Sequence, residues 1–587
     1  MYIIMTLNNN CKLRGLRLVI GIIIAAVGSV LSGCDDFLEQ EVKGNNTSEK
    51  FYDTRYKLQA SLNAAYDILQ SNAMQDTDWR FGEAIGDNVI GRDEGLSGHM
   101  GQLAHFRFNT SNNFILNRWN IYYKGIHRVN QVIANIDKAR LSTDDYQSYK
   151  EIREILGQAK FLRAYFYFNL ARTFGGVPIR PEVEEVEKIV IPRSSLEETY
   201  AYIEKDLREA AIMLPNRYTS NNSGKASSGA ATALLMKVLM YQAKPGIPSE
   251  KWEEMTRLGD YFVKGASFSF KDMLHYPDNY EGEDWESLRK RLWFKPQELN
   301  KETDPYETPE NECPMLLNAY SLRYIDAYGG AITYDQQFYL QGEFCQGSIF
   351  EIVFKESGDG SADDNNEGNA IFMNMFPQAY DGANSSHIPI YCDDAVLSKI
   401  IFSGSNASDA RKRYILGHHE NTPDMENTEI GAGRVLPLKW YTPVKDRPVY
   451  AGDNGKNRRI LRYVDVVLMY AEALNECGKG AEALEQLNSN KRVVNEINNS
   501  STLYIGGGYG YLRQQIWDER TIELCFEWER FFDIVRQGRA KECLKIFSDL
   551  RSNRRGAYFK EGINEIFPIP QREIDLSNGV VTQNPGY

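Results

Sequence analysis

Three glutamates near the C-terminus have the spacing at which carboxylates share chemistry. Glu519, Glu523 and Glu527 recur every four residues, so on a helix they lie along one face. Such a row can bind a metal ion or act in general acid–base catalysis. Like charges at this spacing repel unless cations lie between them. Three arginines of the same stretch can supply those cations: Arg520, Arg530 and Arg536. We therefore predict ion pairs that hold the last helices together.

A second acidic stretch resembles part of a calcium-binding loop. Asp363, Asn365, Glu367 and Gly368 match positions 1, 3, 5 and 6 of such a loop. Its last position, which needs a bidentate glutamate, is occupied by Asn374. The sequence therefore favours a flexible acidic loop, and we predict no metal and no cofactor.

The familiar catalytic motifs are absent from this sequence. His418 and His419 are adjacent, and neighbouring side chains on a strand face opposite ways, so a surface turn is the better interpretation. No G-x-S-x-G, H-E-x-x-H or P-loop pattern occurs. A glycosidase needs only two carboxylates at a suitable separation, so a surface hydrolase remains an alternative.

Aromatic side chains outside the helical stripes are candidates for ligand binding. Sugar rings pack their apolar faces on Trp and Tyr, while Asp, Asn and Arg bind hydroxyl groups. The candidate ligand-binding residues are Trp79, Asp87, Asn88, Arg92, Trp285, Trp293 and Trp440. We expect the loop of residues 79–92 to face the segment of residues 285–293. Taken singly, each of these residues is also compatible with core or interface packing.

Composition places the chain among large globular proteins. It has 587 residues, of which 42% are hydrophobic, 25% charged and 12% aromatic. The formal net charge is -13, which makes nucleic acid an unfavourable partner.

The N-terminus has the pattern of a bacterial lipoprotein signal. Lys12, Arg14 and Arg17 precede an apolar run over residues 18–31, which is shorter than the about 20 residues of a membrane span. Leu-Ser-Gly then precedes Cys34, as in a lipobox, and the alternative is an ordinary signal peptide with a chance cysteine. We predict a signal peptide over residues 1–33, lipidation of Cys34, and a tether over residues 34–50.

Helical periodicity dominates both ends of the chain. Residues 151–174 carry apolar side chains on more than one face, which is typical of a helix covered on several sides. Helix pairs of similar length are predicted at 114–139 with 151–174, 194–213 with 229–243, and 461–476 with 481–497. Stacked hairpins of this kind form a curved solenoid. The prediction is a mainly α fold with a tetratricopeptide-like scaffold.

The scaffold is interrupted by a long irregular insertion. We predict helices over 51–267, with a loop at 71–113, and again over 457–587, where the tail wraps back along the surface. Between them, residues 268–456 are rich in Gly, Pro, Asn and Asp and contain short strand-like runs. One helix is predicted there, over residues 314–328. This insertion is where we expect the ligand to bind.

Four stretches together resemble the RagB/SusD family. They are AKFLRAYFYFNLARTFGGVPI (159–179), LRYVDVVLMYAEALNE (461–476), ERTIELCFEWERFFDIVRQG (519–538) and FPIPQREID…QNPGY (567–587). The weakest match lies between residues 268 and 456. The resemblance implies a lipid-anchored nutrient-binding protein of the outer membrane, with a helical scaffold and an irregular ligand-binding region. It also implies a SusC-like TonB-dependent transporter as partner.

These observations lead to one expected function and two alternatives. We expect a non-enzymatic lipoprotein, exposed at the cell surface, that binds oligosaccharides and delivers them to the SusC-like transporter. The first alternative is a surface glycoside hydrolase. The second is a peptide-binding or purely structural lid subunit of the transporter.

Overall fold

The computed structural model describes residues 52–587 except for 53, 92–97, 142–145, 182–189, 219–223, 276–283, 294–311, 358–367, 370–389, 403–405, 407, 418–433, 450–452, 499–502 and 552–554. Residues 52–587 form one compact unit. The predicted signal peptide, Cys34 and tether lie outside the described residues, and so do Arg92, His418 and His419. Within the described part of the chain, no helix is long and apolar enough to cross a membrane.

Helices form most of the N-terminal half. They are α1 (Arg55–Gln70), α2 (Asn72–Trp79), α3 (His99–Ala104), α4 (Asn113–Ala134), α5 (Ile136–Leu141), α6 (Tyr146–Phe174), α7 (Leu196–Met213), α8 (Ser228–Gln242), α9 (Glu250–Gly259), α10 (Phe270–Leu274) and α11 (Trp285–Trp293). Helix α6 packs against α4 and α7, and α7 packs against α8. The prediction of a mainly α fold built from paired helices is confirmed.

Helix α6 is the central element that its sequence predicts. Phe161, Tyr165 and Phe168 are all buried although they point in different directions around the helix. The helix ends where Gly175 adopts a left-handed backbone with φ 76°. Helix α7 begins with a capping box formed by Ser195 and Glu198.

The segment of residues 71–113 is more regular than predicted. Ser71 caps α2, a π-helical turn follows at Arg80–Ala84, and α3 lies further along. The glycines of this segment suggested a loop, but Gly82 is needed for close packing against the backbone of Trp528. A Cβ atom at Gly82 would lie 1.8 Å from the carbonyl oxygen of Trp528, so only glycine allows this approach.

The middle of the chain contains short strands and turns. The strands are β1 (Ile90–Gly91), β2 (Ser348–Ile352), β3 (Ile390–Asp393), β4 (Leu416–Gly417), β5 (Arg434–Pro437) and β6 (Arg458–Arg462). An antiparallel sheet has the order β1-β3-β5-β4, and β2 pairs with β6. Two short helices, α12 (Asp394–Ile400) and α13 (Lys412–Ile415), adjoin this sheet. The helix predicted over residues 314–328 is wrong, because this segment forms turns.

The C-terminal part returns to helices. They are α14 (Tyr463–Glu476), α15 (Gly480–Asn498), α16 (Tyr509–Glu523), α17 (Arg530–Arg536), α18 (Ala540–Arg551), α19 (Arg555–Tyr558) and α20 (Gln571–Leu576). The final residues wrap back onto the end of α6, where the Asn584 amide donates hydrogen bonds to the carbonyl oxygens of Phe174 (2.9 Å) and Phe567 (2.7 Å).

Candidate functional site

Glu519 and Glu523 on α16, together with Glu527 beyond its end, belong to a buried ionic network. Arg411 donates hydrogen bonds to Glu519 and Glu523, each at 2.7 Å, and also pairs with Asp409 at 2.8 Å. Lys491 on α15 lies 3.2 Å from Glu519. Burial alone would raise the pKa of Glu519, but the charges of Arg411 and Lys491 outweigh it and lower the pKa to about 2. Glu519 is therefore ionised, and both glutamates are paired with cations.

The last glutamate of the row is paired in the same way. Glu527 accepts hydrogen bonds from Lys439 and Arg462, each at 2.6 Å. Burial opposes ionisation of Glu527, whereas the two cations hold its pKa below the usual value. The prediction of ion pairing is confirmed, and this geometry indicates a structural role for the row.

The partners of these glutamates differ from those expected. The three arginines near them in sequence serve other carboxylates. Arg520 pairs with Asp465 at 2.8 Å, and Arg530 pairs with Asp87 at 2.6 Å. Arg536 pairs with Glu472 at 2.8 Å. For Arg530 and Arg536 the reason is that α16 ends at Glu523, so both lie on a separate helix, α17.

Four of the predicted ligand-binding side chains are buried and engaged with the protein. Trp79, Asp87, Asn88 and Trp440 are between 1% and 7% exposed. Asp87 pairs with Arg530, the Asn88 amide donates to Glu83, and the Trp440 indole donates to the Phe526 carbonyl at 2.6 Å. Binding of a ligand by these four would require the surrounding chain to open, so their ligand role stays a prediction.

The other predicted aromatic residues lie on or beside α11. Trp285 begins this helix and is half-buried, whereas the side chain of Trp293 lies outside the described residues. Helix α11 packs on α7, where Arg291 binds Glu209 at 3.1 Å. Helix α2, which carries Trp79, packs on α4 instead. The expected face-to-face arrangement of the two segments stays a prediction.

A rigid turn presents an aromatic residue that the sequence analysis missed. The ring of Tyr328 is 98% exposed. The carboxylate of Asp326 accepts hydrogen bonds from the backbone N–H groups of Tyr328 (2.8 Å) and Gly330 (2.7 Å). Gly329 between them has φ 92°, a left-handed conformation that favours glycine. The turn is therefore fixed by its own residues while the ring faces solvent.

The base of this turn is attached to the body of the protein. The N–H of Ile332 donates to Tyr324 at 2.9 Å, and the N–H of Gln346 donates to Ile325 at 2.8 Å. The ring of Tyr324 packs edge-on against the buried ring of Tyr334, with centroids 5.6 Å apart. An exposed aromatic face carried on a fixed backbone can stack on a sugar ring.

A local pattern could have revealed this turn. The sequence Asp-Ala-Tyr-Gly-Gly places an acidic residue before two glycines, which is a turn signature. The exposure of the Tyr328 ring, however, depends on the rest of the fold.

The calcium-like loop of residues 363–374 lies largely outside the described residues, with Asn374 and Asp363 among those not described. Among the described residues, no group of three or more His, Cys, Asp or Glu side chains has the arrangement of a metal site.

Comparison with known families gives two matches, one in the N-terminal part of the chain and one in the C-terminal part. Residues 36–240 match a SusD-like family model described as "Starch-binding associating with outer membrane". Residues 400–587 match the model of the SusD family. The curated SusD-like protein P2 of Formosa agariphila is 25% identical over 95% of this chain and 97% of its own length. The SusD-like protein P38 of the same organism is 23% identical over 91% of this chain and 93% of its own.

Solved structures share the fold along most of the chain. A SusD homologue from Bacteroides thetaiotaomicron has a TM-score of 0.67 and 22% identity, covering 94% of this chain and all (100%) of its own. A laminarin-binding SusD-like protein has a TM-score of 0.64 and 22% identity, covering 91% and 100%. Surface glycan-binding protein A from B. thetaiotaomicron, in complex with laminarihexaose, has a TM-score of 0.63 and 18% identity, covering 90% and 99%.

Proposed function

The chain belongs to the SusD/RagB family, and we propose that it is a surface lipoprotein that binds oligosaccharides and delivers them to a SusC-like transporter. The observation that carries the proposal is the pair of family matches, which cover residues 36–240 and 400–587. The mainly α fold supports it, because proteins that share this fold include a laminarin-binding protein and a glycan-binding protein with laminarihexaose bound.

Tyr328 is the contact we propose for the ligand. Stacking on an apolar sugar face needs an exposed aromatic ring, and the Asp326 turn presents the ring of Tyr328 on a fixed backbone. Arg92, Trp285 and Trp293 remain proposed contacts from the sequence. The ligand is held by stacking and by hydrogen bonds to its hydroxyl groups, without bond cleavage.

The lipid on Cys34 and the transporter complete the proposed function. The lipobox supports anchorage in the outer membrane, with the folded unit of residues 52–587 exposed at the cell surface. The SusC-like TonB-dependent barrel receives the bound oligosaccharide. A membrane anchor restricts the protein to the surface on which the barrel opens, which raises their effective concentration.

Affinity electrophoresis of the purified protein in gels that contain single glycans tests this proposal. We expect retarded migration on at least one glycan and no shortened products after prolonged incubation. Products released from the retained glycan would favour the hydrolase alternative. Binding to peptides without retardation on any glycan would contradict the carbohydrate part of the proposal.

The variant Tyr328→Ala tests the proposed contact. Loss of one contact between an aromatic side chain and a stacked nucleic-acid base costs roughly 1–3 kcal/mol, so for the glycan we expect binding weaker by about 5- to 150-fold. Tyr511→Ala is the matched control, because Tyr511 is also exposed, at 56%, but lies on α16 outside the turn. Equal retardation of wild type and Tyr328→Ala would exclude Tyr328 as a ligand contact.

A further inference from the structure

A pocket separate from the Tyr328 turn lies between α4 and the C-terminal tail. Its volume is about 350 Å³, within the range of roughly 300–1,000 Å³ that is usual for small-molecule sites. Helix α4 contributes Trp119 and Tyr123, and the segment after α6 contributes Arg180. Glu573 on α20 contributes from the tail. The pocket is therefore built from elements that are distant in sequence.

The aromatic wall of the pocket is held rigidly. The rings of Trp119 and Tyr123 pack with centroids 4.9 Å apart, and Trp119 packs edge-on against Phe174 at 5.2 Å. The Tyr123 hydroxyl donates a hydrogen bond to the Pro178 carbonyl at 2.8 Å. Trp119 is only 3% exposed, so its ring supports the half-buried ring of Tyr123, which supplies the aromatic face of the pocket. The wall is thus fixed before any ligand arrives, which lowers the entropic cost of binding.

The backbone at Arg180, which lies beside this wall, is held by buried side chains. The buried amide of Asn130 donates to the carbonyl oxygen of Arg180 at 2.7 Å, and its oxygen accepts from Arg163 at 3.1 Å. Arg163 is itself paired with Asp206 at 2.7 Å. This series of bonds sets the position of the backbone at Arg180 relative to α4.

The rim of the pocket carries polar groups of both signs. Asn120 and His127 on α4 are exposed, while Arg180 and Glu573 are half-buried. An amide, an imidazole, a guanidinium and a carboxylate provide both donors and acceptors of hydrogen bonds. Because the guanidinium of Arg180 and the carboxylate of Glu573 carry opposite charges, the rim does not favour a strongly charged ligand.

We propose that this pocket is a second carbohydrate site, which takes about one or two neutral sugar rings against the aromatic wall. The choice of a sugar rests on the proposed function, whereas the site itself rests on the pocket. An aromatic wall with a hydroxyl-binding rim matches a sugar ring, which has apolar faces and a polar edge. Two separate contacts on one glycan strengthen its retention through effective concentration.

Calorimetric titration with disaccharides tests the second site. The probes are maltose, cellobiose, laminaribiose, xylobiose and mannobiose. We expect saturable binding of at least one of them, and the double variant Asn120→Ala/Glu573→Gln weakens it by about tenfold or more, as expected for lost hydrogen bonds to a charged group. Both side chains lie at the surface of the pocket, so this variant keeps the fold. The control Arg572→Ala changes an exposed neighbour on α20 and leaves binding unchanged.

Hydrogen exchange on the same samples locates the bound sugar. We expect the effective disaccharide to slow deuterium uptake in peptides that cover residues 119–130 and 571–587, in wild type but not in the double variant. Unchanged uptake there, or equal affinity of the double variant, overturns the second site. If gels containing polymeric glycans retard the protein while no disaccharide binds, the second site fails and the proposed function stands. If neither polymers nor disaccharides bind, both fail.

Discussion

At the scale of single residues, the carboxylate of Glu83 holds the turn between α16 and α17. It accepts hydrogen bonds from the backbone N–H groups of Phe526 and Trp528, each at 3.0 Å. Both of those residues have positive φ, 62° and 67°, which is strained for bulky side chains. A carboxylate from the N-terminal half thus stabilises an unfavourable backbone in the C-terminal half.

The protonation of Glu83 makes this contact sensitive to pH. Burial raises its pKa from 4.5 to about 7, against the opposing hydrogen bonds from Asn88 and the two backbone N–H groups. Because the folded state binds the proton more tightly, the group contributes stability that is complete below about pH 4.5 and is lost as the pH rises through about 7.

We predict that Glu83→Gln removes this pH dependence. Near pH 5 the variant is less stable by about 1–3 kcal/mol, because glutamine has one acceptor oxygen for two N–H donors. Toward pH 8 the difference in the free energy of unfolding between wild type and variant narrows, since only the wild type then bears a buried charge. Chemical denaturation at the two pH values measures it. Glu561→Gln, an exposed carboxylate, is the control, and a wild-type advantage that stays constant or grows with pH would contradict the prediction.

At the scale of elements, the ionic network joins segments that are far apart in the chain. Arg411 lies just before α13, Lys491 on α15 and Glu519 on α16, and all three side chains are almost completely buried. Long-range pairing of this kind fixes how the irregular segment sits against the C-terminal helices. Removal of one partner leaves uncompensated buried charge, which is strongly destabilising.

Arg411→Met is predicted to lower the free energy of unfolding by about 3–5 kcal/mol. The reason is that Asp409, Glu519 and Glu523 lose a shared cation in a buried site. Urea denaturation of the purified protein measures the change. Arg492→Met is the matched control: Arg492 pairs with Glu485 at the surface, where such pairs contribute about 0–1 kcal/mol. Similar effects of the two substitutions would refute the structural role of the network.

The same network shows what the sequence could and could not predict. Helix α6 and its end at Gly175 follow from periodicity and a local capping signal, so they were predictable. The ion pairing of Glu519 followed from local charge repulsion. Its partner Arg411 did not, because 108 residues separate the two and no local pattern records that contact.

The solvent exposure of the candidate ligand-binding side chains was the second property that local sequence patterns did not predict. Trp79, Asp87 and Asn88 had suitable chemistry for a ligand, but the fold buries all three, and it pairs Asp87 with Arg530 of the C-terminal part. Tyr328 was passed over although its turn signature is local, since its 98% exposure depends on how the surrounding chain packs.

At the scale of the whole molecule, the proposed function requires the folded unit to be held at the membrane by its N-terminus. We predict that Cys34→Ser shifts the protein from the membrane fraction to the soluble fraction, because the thiol that accepts the lipid is missing. Cell fractionation followed by immunoblotting measures the shift. Cys11→Ser is the control, since Cys11 lies in the signal segment that is removed. Unchanged membrane association of the Cys34 variant would contradict the anchor.

The most direct test of the central proposal is calorimetric titration of the purified protein with the glycan that retards it most, followed by chromatography of the mixture. We predict saturable binding, with the glycan recovered at its original length. Shortened glycan in the mixture, or the absence of binding to every glycan tried, would contradict the account.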